Sequence, residues 1–388
     1  MIKLAEQKLK ILELTEFTAG TCGVWTRVFS ESKEFVKRGH EVIIFSSDYE
    51  KGTGRHLKKS YVRMKEGVEL RRFVSKDSKL TDNVKYWFNM QALKEVENYD
   101  PDIIITHLLH PHSAAISVFA GRLRKRNPNL KIYLVPHSPF NVKRNPLLSI
   151  LTGLYRRAGL LRLSSFDKVI AIAKWEVPYL LRLGCRVEQI EIIPNGLPEE
   201  FFNIQKTNAQ KDVLYFGRIA EIKSLETLLK ACRKVPQLNF SIVGTAEPEY
   251  LSKLQEMSDG LKNVTFYPPI YELAEKIRLI DEHKIFVLPS KWEGLPNALL
   301  EAMARGRLII SSNVTGSQEL IRHRHNGLTF EVGNDEQLAG LLMRYAQGNE
   351  DLQRNAIEEA RSYSWDVLIK KYDGLFAGRE AFHSEVKY

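Results

Sequence analysis

Two successive sets of alternating strands and helices constrain what this 388-residue chain can fold into. In each set, short runs of Val, Ile and Leu, which are typical of buried strands, are separated by segments of helical periodicity. The first set extends over residues 12–193 and the second over 213–330, and three further helices are predicted at the end of the chain. This order predicts an α/β protein with two doubly wound parallel sheets, because strand, helix and strand in succession form a βαβ unit.

A polar segment at residues 203–211 separates the two sets and indicates a linker. The chain is also longer than one ordinary hydrophobic core can support, so two domains are expected. Ligands of such sheets bind beyond the carboxyl ends of the strands. We therefore expect two domains that face each other across a cleft.

Positive charge is concentrated in the first half of the chain. Residues 1–200 contain 33 Lys and Arg against 22 Asp and Glu, a net charge of +11, whereas residues 201–388 contain 24 against 25, a net charge of −1. The asymmetry indicates an anionic partner such as nucleic acid, an anionic membrane or a phosphate-bearing substrate. A charge that serves only solubility is the alternative.

The cysteine and hydropathy patterns indicate the compartment. Cys22, Cys185 and Cys232 have neither disulfide nor zinc spacing, which favours a reducing environment. No apolar run is long enough for a transmembrane helix, and the first ten residues lack the apolar centre of a signal peptide. We expect a cytoplasmic protein, either free or peripheral on the cytosolic membrane face.

The segment that follows the apolar run Ile285–Leu288 has the clearest functional signal. Gly294 and Pro296 open a predicted helix there. Glu293 lies in the loop and Glu301 lies about two helical turns further on, so both carboxylates can face the mouth of the helix. Helix-mouth amides bind anionic or hydroxyl-rich ligands, and carboxylates accept hydrogen bonds from sugar hydroxyls. A surface helix with two solvated glutamates is the alternative.

Two cations flank another strand end. Gly217 and Arg218 follow a predicted strand directly, and Lys223 precedes the next helix. Two fixed cations at such a position can neutralise a diphosphate leaving group without a metal ion. The alternative is that both are solvated loop charges.

Two histidines, His107 and His137, terminate predicted strands of the first set. Such histidines can hydrogen-bond a sugar hydroxyl or a phosphate, although a structural role is the alternative. His110 and His112 follow His107 closely, but no carboxylate partner is evident, so no metal cluster is predicted. Asp100 and Asp102 match an Asp-x-Asp metal pattern, but they precede a strand and should lie at the opposite edge of the sheet.

Residues 143–162 have leucines at helical spacing and five basic residues around them. Such a helix can lie on an anionic membrane, and packing within the core is the alternative.

The chain contains no Gly-x-Gly-x-x-Gly after its first strand, no Walker lysine motif and no Gly-x-Ser-x-Gly elbow. These absences argue against NAD binding, phosphoryl transfer from ATP and the α/β-hydrolase mechanism.

Taken together, these segments resemble the retaining glycosyltransferases of family 4, which have the GT-B fold. The resemblance depends on the Glu-x7-Glu arrangement of Glu293 and Glu301 and covers nearly the whole chain. Further motifs follow in family order, namely Arg38 to Val42, Ile193 to Gly196, Phe216 to Arg218 with Lys223, Gly316 to Glu319, and Tyr363 to Trp365. In this fold the last helix crosses back, which implies an N-terminal Rossmann-like acceptor domain of residues 1–202 plus 365–388. Residues 203–364 would be the Rossmann-like domain that binds the nucleotide sugar.

The resemblance also implies roles for individual residues. Glu293 would hold hydroxyls of the donor sugar, and Glu301 would hold the ribose. Arg218 and Lys223 would stabilise the departing diphosphate, and His137 would contact the donor sugar near the reacting centre. The remaining donor-binding candidates are Gly23, Gly294, Leu295 and Asn297. His107 and His112 are candidates for the acceptor side.

We therefore predict a retaining, metal-independent glycosyltransferase without a cofactor. The donor is a nucleotide sugar, UDP-linked in preference to GDP-linked, and the acceptor is a glycan or lipid-linked saccharide, expected to be anionic. One alternative is a nucleotide-sugar epimerase or hydrolase of the same fold. Another is a basic nucleic-acid-binding protein, for which the sequence offers no helix-turn-helix, zinc-finger or RNA-binding aromatic motif. A catalytically inactive scaffold is disfavoured because the paired glutamates and cations are intact.

Overall fold

The computed structural model describes residues 8–18, 23–50, 55–57, 61–63, 66–77, 85–137, 161–204 and 209–378. The chain divides into two compact units. Unit 1 comprises residues 1–196 and 368–388, and unit 2 comprises residues 197–367. Within the segment predicted to be amphipathic, residues 143–160 lie outside the described residues.

Unit 1 is built on one large sheet. Its strands are β1 (Lys10–Thr15), β2 (Glu41–Ser47), β3 (Tyr61–Arg63), β4 (Glu69–Phe73), β7 (Ile103–His107), β8 (Lys131–Val135), β9 (Lys168–Ala171) and β10 (Ile190–Ile192), and a separate antiparallel pair consists of β5 (Lys76–Asp77) and β6 (Lys85–Tyr86). The order in the large sheet is β10-β9-β8-β7-β1-β2-β4-β3. Seven strands are parallel, and β3 pairs antiparallel with β4.

The helices of unit 1 cover a sheet whose central strands are buried on both faces. They are α1 (Gly23–Lys37), α2 (Met90–Tyr99), α3 (Pro111–Arg126) and α4 (Val177–Arg182), with 3-10 turns at Leu163–Ser165, Lys174–Glu176 and Val187–Gln189. In the central register, Leu12 of β1 lies between Ile43 of β2 and Ile104 of β7, and all three are core residues. Burial on both faces explains why these strands read as apolar runs without alternation.

Unit 2 has a fully parallel sheet. Its strands are β11 (Lys211–Phe216), β12 (Phe240–Val243), β13 (Val264–Tyr267), β14 (His283–Leu288), β15 (Leu308–Ser312) and β16 (Leu328–Phe330), in the order β13-β12-β11-β14-β15-β16. The helices are α5 (Leu225–Lys234), α6 (Pro248–Met257), α7 (Leu273–Asp281), α8 (Asn297–Ala304), α9 (Thr315–Gln318), α10 (Asp335–Arg344) and α11 (Glu350–Arg361), with 3-10 turns at Glu199–Phe202 and Glu221–Lys223. The sequence of βαβ units was predicted, and the observed order is that of a doubly wound sheet.

A buried arginine anchors the start of unit 2. Arg305, at the end of α8, donates to both carboxylate oxygens of Asp281 at 2.8 and 2.6 Å. Its Nη1 also donates to the carbonyls of Phe201 and Asn203, each at 3.1 Å. Asn203, the first residue of the predicted linker, is therefore held by the body of unit 2.

The last described helix, α12 (Trp365–Phe376), begins in unit 2 and continues into unit 1 from Leu368. Within unit 1, the ring centroid of Phe376 lies 5.4 Å from that of Phe35 and 6.3 Å from that of Tyr133. Aromatic packing of this kind buries a large area and fixes the last turn of α12 on α1 and β8. Among the described residues, no helix has the length and apolar character needed to cross a membrane.

Candidate functional site

The strand order of unit 2 reverses between β11 and β14, which are neighbours in the sheet. Such a switch point leaves a crevice at the carboxyl ends of the two strands, where ligands of doubly wound sheets bind. The loop after β11 contains Arg218 and Lys223, and the loop after β14 contains Glu293. The topology therefore brings two of the sequence-predicted segments to one edge of one sheet.

Lys223 and Glu293 form a direct ion pair at this edge. Nζ of Lys223 lies 2.6 Å from Oε1 of Glu293, and the hydroxyl of Ser290 donates to the same oxygen. The two side chains are 19% and 8% exposed, so the pair is largely removed from water. A charge-assisted hydrogen bond in such surroundings holds both groups in one orientation.

The loop with Glu293 rests on α9 through a close backbone approach. A Cβ atom on Gly316 would overlap the carbonyl oxygens of Glu293 and Gly294. The hydroxyl of Ser312 also donates to the carbonyl of Ser290 at 2.6 Å. Only glycine permits this contact, so Gly316 allows the backbone at Glu293 and Gly294 to approach α9 closely.

Glu301 forms the second carboxylate site of unit 2. Its Oε1 lies 2.8 Å from Nζ of Lys276 on α7, and Glu301 is 5% exposed. Its Oε2 is buried, and within the described part of the chain it has no hydrogen-bond partner. Because an unpaired buried carboxylate oxygen is costly, Oε2 of Glu301 is a candidate acceptor for a ligand hydroxyl.

Lys276 was not predicted from the sequence. Its Nζ lies 5.6 Å from the ring centroid of Phe216, the last residue of β11, and 5.7 Å from that of Phe201. This proximity places the Lys276–Glu301 pair at the same carboxyl edge as Lys223 and Glu293. A lysine in an ordinary amphipathic helix gives no signal in the sequence that would distinguish it.

Arg218 pairs with a different carboxylate from Lys223, at the surface. Its Nη1 lies 3.4 Å from Oε1 of Glu247, and both side chains are more than half exposed. The hydroxyl of Tyr215 donates to the Arg218 carbonyl at 2.6 Å, which shapes the loop. Of the other donor-binding candidates, Leu295 is buried, Gly294 and Asn297 are partly buried, and Gly23 is the exposed first residue of α1.

In unit 1 the strand order reverses between β1 and β7, and His107 lies at the end of β7. Its Nε2 lies 2.7 Å from Oε2 of Glu13 and 3.1 Å from Oε1 of Glu31. Its Nδ1 lies 3.1 Å from Nε2 of His137. All three side chains of the Glu13–His107–Glu31 group are fully buried.

Carboxylate partners also lie beside the neighbouring histidines. Nδ1 of His110 lies 2.9 Å from Oε2 of Glu16, and Nδ1 of His112 lies 3.7 Å from the same oxygen. The sequence-based statement that these histidines lack a carboxylate partner was wrong. The partners come from β1, its following residue and α1, which are distant in sequence from the histidine segment.

His112 is enclosed within unit 1. It is 1% exposed, its Nε2 lies 2.7 Å from the His107 carbonyl oxygen, and its ring centroid lies 5.4 Å from that of Trp87. Burial, together with His110, lowers the pKa of His112 to about 3. Both predicted acceptor-side histidines, His107 and His112, thus have their described hydrogen bonds inside unit 1.

An arginine compensates the buried carboxylates. Nε of Arg27 lies 3.2 Å from Oε2 of Glu31, and its Nη2 donates to the hydroxyl of Tyr372 at 3.0 Å. That hydroxyl donates to Glu31 at 2.9 Å.

Glu13, Glu31 and His107 bring three possible ligand atoms within 4.8 Å of one another. Because Arg27 already pairs with Glu31 and His107 already bonds Glu13, we assign no metal ion to this group.

The buried environment shifts the pKa values of this group in different directions. Burial, reinforced by Glu31, raises the pKa of Glu13 to about 7. Burial alone would lower the pKa of His107, but hydrogen bonds to Glu13 and Glu31 raise it. Burial alone would raise the pKa of Glu31, but the charge of Arg27 and the hydrogen bond to His107 outweigh this effect and lower it. Burial and the neighbouring His107 and Arg27 lower the pKa of His137.

Sequence reasoning missed Glu13, Arg27 and Glu31. One signal was present for Glu13, because a glutamate stands inside the otherwise apolar strand Lys10–Thr15. A charged residue in a fully buried strand needs a specific partner, so such a residue is a candidate for function or for a buried network. Arg27 and Glu31 are four residues apart on α1, a spacing that is equally common on solvent-exposed helix faces.

Two family models match the chain. Residues 21–201 match Glycosyltransferase Family 4, and residues 198–363 match Glycosyl transferases group 1. The amylovoran biosynthesis glycosyltransferase AmsK of Erwinia amylovora is 33% identical over 190 residues, which are 45% of this chain and 46% of that protein. An uncharacterized glycosyltransferase of Haemophilus influenzae is 30% identical over 267 residues, which are 66% of this chain and 71% of that protein.

A solved structure shares the fold. The crystal structure of Anabaena Alr3699/HepE in complex with UDP and glucose has a TM-score of 0.72 and 17% sequence identity, and the match covers 95% of this chain and 100% of that one. The predicted fold class, two Rossmann-like units of the GT-B type, is confirmed. The family matches and the Haemophilus influenzae relative identify the chain as a member of the glycosyltransferases of the group 1 and family 4 type.

Proposed function

We propose that the protein is a retaining glycosyltransferase that moves a sugar from a UDP-linked donor to a glycan or lipid-linked saccharide. The observation that carries the proposal is the pair of Lys–Glu contacts with buried glutamates at the switch point of unit 2, Lys223 with Glu293 and Lys276 with Glu301. Each contact places an acceptor for hydroxyl groups beside a cation for phosphate or base oxygens.

Separate parts of the donor fit these contacts. The unpartnered Oε2 of Glu301 can accept from a ribose hydroxyl, and Glu293 can accept from hydroxyls of the sugar. Lys223 and the exposed Arg218 can stabilise the negative charge that develops on the leaving diphosphate. Backbone amides of Gly294 and Leu295, with Asn297 at the start of α8 and Gly23 at the start of α1, are the further donor contacts that we propose.

The chemistry that we propose breaks the bond between the sugar and the diphosphate and forms a bond to an acceptor hydroxyl on the same face of the sugar. The hydroxyl proton passes to an oxygen of the leaving phosphate. His137 contacts the donor sugar near the reacting centre. Because Lys223 and Arg218 supply positive charge, the leaving group needs neither a metal ion nor a cofactor.

UDP is the preferred nucleotide because the protein of the same fold from Anabaena was crystallised with UDP and glucose. A polysaccharide or lipid-linked saccharide is the preferred acceptor because the relative AmsK takes part in amylovoran biosynthesis. The net charge of +11 on residues 1–200 supports an anionic acceptor and attachment to the cytosolic face of an anionic membrane. Salt-sensitive binding to anionic liposomes, absent with neutral liposomes, would support this location.

A transfer assay with matched variants tests the proposal. Purified protein is incubated in EDTA with labelled UDP-glucose, UDP-galactose, UDP-N-acetylglucosamine or GDP-mannose, with and without a membrane-lipid extract as acceptor. Glu293→Gln should lower transfer at least about 100-fold, as loss of a transition-state contact does. Glu282→Gln, which alters the exposed Lys211–Glu282 pair, is the control and should transfer normally. Conversion of the donor without acceptor would instead identify an epimerase or hydrolase.

A further inference from the structure

Three side chains of unit 1 form a continuous hydrogen-bonded chain. Oε2 of Glu13 lies 2.7 Å from Nε2 of His107, and Nδ1 of His107 lies 3.1 Å from Nε2 of His137. Glu13 and His107 are fully buried, and His137, two residues after β8, is partly buried. When both ring nitrogens of a histidine are hydrogen-bonded, the protonation state of the partner at one nitrogen influences whether the other nitrogen donates or accepts.

The charged side chains from α1 beside the Glu13–His107–His137 hydrogen bonds neutralise each other. Arg27 and Glu31 from α1 form a fully buried ion pair. Tyr372 from α12 is neutral and bonds to both. The net charge of the four buried side chains Glu13, Arg27, Glu31 and His107 therefore equals the net charge of Glu13 and His107. Because a low-dielectric interior disfavours an uncompensated charge, the neutral state of the Glu13–His107 pair is favoured.

Two arrangements of hydrogens in a neutral Glu13–His107 pair satisfy both side chains, and both leave a hydrogen on Nδ1 of His107. If Glu13 is ionised, His107 is an imidazolium with hydrogens on both nitrogens. If Glu13 is protonated, it donates to Nε2 of His107, and the single ring hydrogen stands on Nδ1. In both cases Nδ1 of His107 carries a hydrogen and donates to Nε2 of His137. A third arrangement has the hydrogen of His107 on Nε2, which also lies 3.1 Å from Oε1 of Glu31, and it is costly because the acid hydrogen of Glu13 would then stand on Oε1, a buried atom with no hydrogen-bond partner among the described residues.

We propose that Glu13 and His107 are positioning residues that hold His137 in the neutral form with its hydrogen on Nδ1. Nε2 of His137 accepts from His107, so Nδ1 is the nitrogen left to donate. This proposal rests on the proposed role of His137 in the transfer reaction. It assigns His137 as a hydrogen-bond donor to a sugar hydroxyl or phosphate oxygen and excludes it as a general base.

The backbone of His137 supports a fixed ring. Its φ is +47°, in the left-handed region that non-glycine residues adopt at a cost of about 1 kcal/mol or more. The bond to His107 and the packing of the two rings, whose centroids lie 5.4 Å apart, offset part of that cost. Such conformations concentrate at functional sites, where the surrounding structure holds them.

Deprotonation of the Glu13–His107 pair at higher pH should change which nitrogen of His137 carries the hydrogen. When the Glu13–His107 pair loses a proton, the remaining hydrogen moves to Nε2 of His107 to bond ionised Glu13. Nδ1 of His107 then becomes an acceptor, and the hydrogen of His137 moves to Nε2. Nδ1 of His137 loses its donor character, so transfer should decline as pH rises through this step.

Nitrogen-detected NMR of protein labelled with 15N-histidine tests the proposal without any substrate. The signal of His137 is identified by its loss in His137→Asn. We expect the wild-type protein at pH 6 to show His137 with hydrogen on Nδ1 and to convert toward the Nε2–H form at alkaline pH. In Glu13→Gln, which removes the carboxylate that draws the hydrogen of His107 to Nε2, we expect no such conversion. A wild-type His137 with hydrogen on Nε2 at pH 6 would overturn the proposal.

A matched variant separates this role from a structural one. Glu16→Gln also replaces a buried glutamate that lies beside histidines, but these are His110, 2.9 Å away, and His112, 3.7 Å away. Neither has a described hydrogen bond to the side chain of His107 or His137. Transfer by wild type and Glu16→Gln should fall about tenfold from pH 6 to pH 9, whereas Glu13→Gln should change less than about twofold. Equal profiles for Glu13→Gln and wild type would contradict the proposal. If NMR shows His137 with hydrogen on Nδ1 but neither the wild type nor any variant transfers sugar, the proposed function fails, and the role of Glu13 and His107 in positioning His137 stands.

Discussion

Lys223 and Glu293 are 70 residues apart in the chain, and Nζ of one lies 2.6 Å from Oε1 of the other. The contact exists because β11 and β14 are neighbours in the sheet and the loops after them meet at the switch point. Each residue holds the other in place in a site with little access to water. Removing either one should therefore affect both the position of its partner and the chemistry.

Lys223→Met should lower the rate of sugar transfer about 100-fold or more, because the leaving diphosphate loses a fixed cation. It should also lower the free energy of unfolding by about 1–3 kcal/mol, since Glu293 would be left buried without its cation. Steady-state kinetics and urea denaturation measure the two effects. Lys211→Met, which removes the cation of an exposed pair with Glu282, is the control and should change neither quantity appreciably. Normal transfer by Lys223→Met would contradict the assigned role.

Gly316→Ala should displace the loop with Glu293, because the added Cβ overlaps the carbonyl oxygens of Glu293 and Gly294. We expect a loss of about 2 kcal/mol or more in the free energy of unfolding and a large loss of transfer. Gly340→Ala is the matched control. A Cβ on Gly340 meets no atom within 4 Å, and alanine favours the helix, so this variant should be as stable as wild type or more so. Equal melting temperatures for the two variants would show that the close approach has no effect.

Tyr372→Phe should weaken the attachment of α12 to unit 1. The variant removes the hydroxyl that bonds Arg27 and Glu31, which are fully buried, so the expected loss is about 1–3 kcal/mol in the free energy of unfolding. Tyr271→Phe alters a tyrosine that is 59% exposed and serves as the control. Urea denaturation distinguishes the two, and a Tyr372→Phe protein as stable as the control would contradict the assigned bonds.

The pKa of Glu13, raised to about 7 by burial, predicts how stability depends on pH. The folded protein retains a proton on Glu13 more strongly than the unfolded chain does, so the contribution of Glu13 is present below its unfolded pKa and declines as pH rises toward 7. The free energy of unfolding of wild type relative to Glu13→Gln should therefore fall between pH 5 and 7, by at most about 1.4 kcal/mol per pH unit. Denaturation at several pH values measures it. A difference that is constant or grows with pH would contradict the buried, protonated carboxyl.

Local periodicity predicted both sheets, because buried parallel strands and their crossover helices each leave a pattern within about ten residues. The loop and helix with Glu293 and Glu301 were predicted for the same reason. Helix α2 was missed, although Asn89 is its N-cap and accepts from the amides of Gln91 and Ala92. A ten-residue helix with a single cap signal is hard to distinguish from a loop in one sequence.

The partners of the site residues could not be predicted in this way. Glu301 meets Lys276, and His107 meets Glu13 across 94 residues of sequence. Both contacts depend on which strands are neighbours, and strand order is not encoded in local periodicity. The expectation that the histidines lacked carboxylates failed because β1 and α1 lie beside β7 only in the folded sheet.

Binding of UDP tests most directly whether unit 2 is a nucleotide-sugar site. Isothermal titration calorimetry in EDTA should detect UDP binding to wild type, and Glu301→Gln should weaken it about 10-fold to 100-fold, since a charged acceptor of a ribose hydroxyl is lost. Glu359→Gln, which alters an exposed pair with Arg322, should bind as wild type does. If UDP fails to bind wild type, or binds Glu301→Gln equally well, the assignment of this site is wrong.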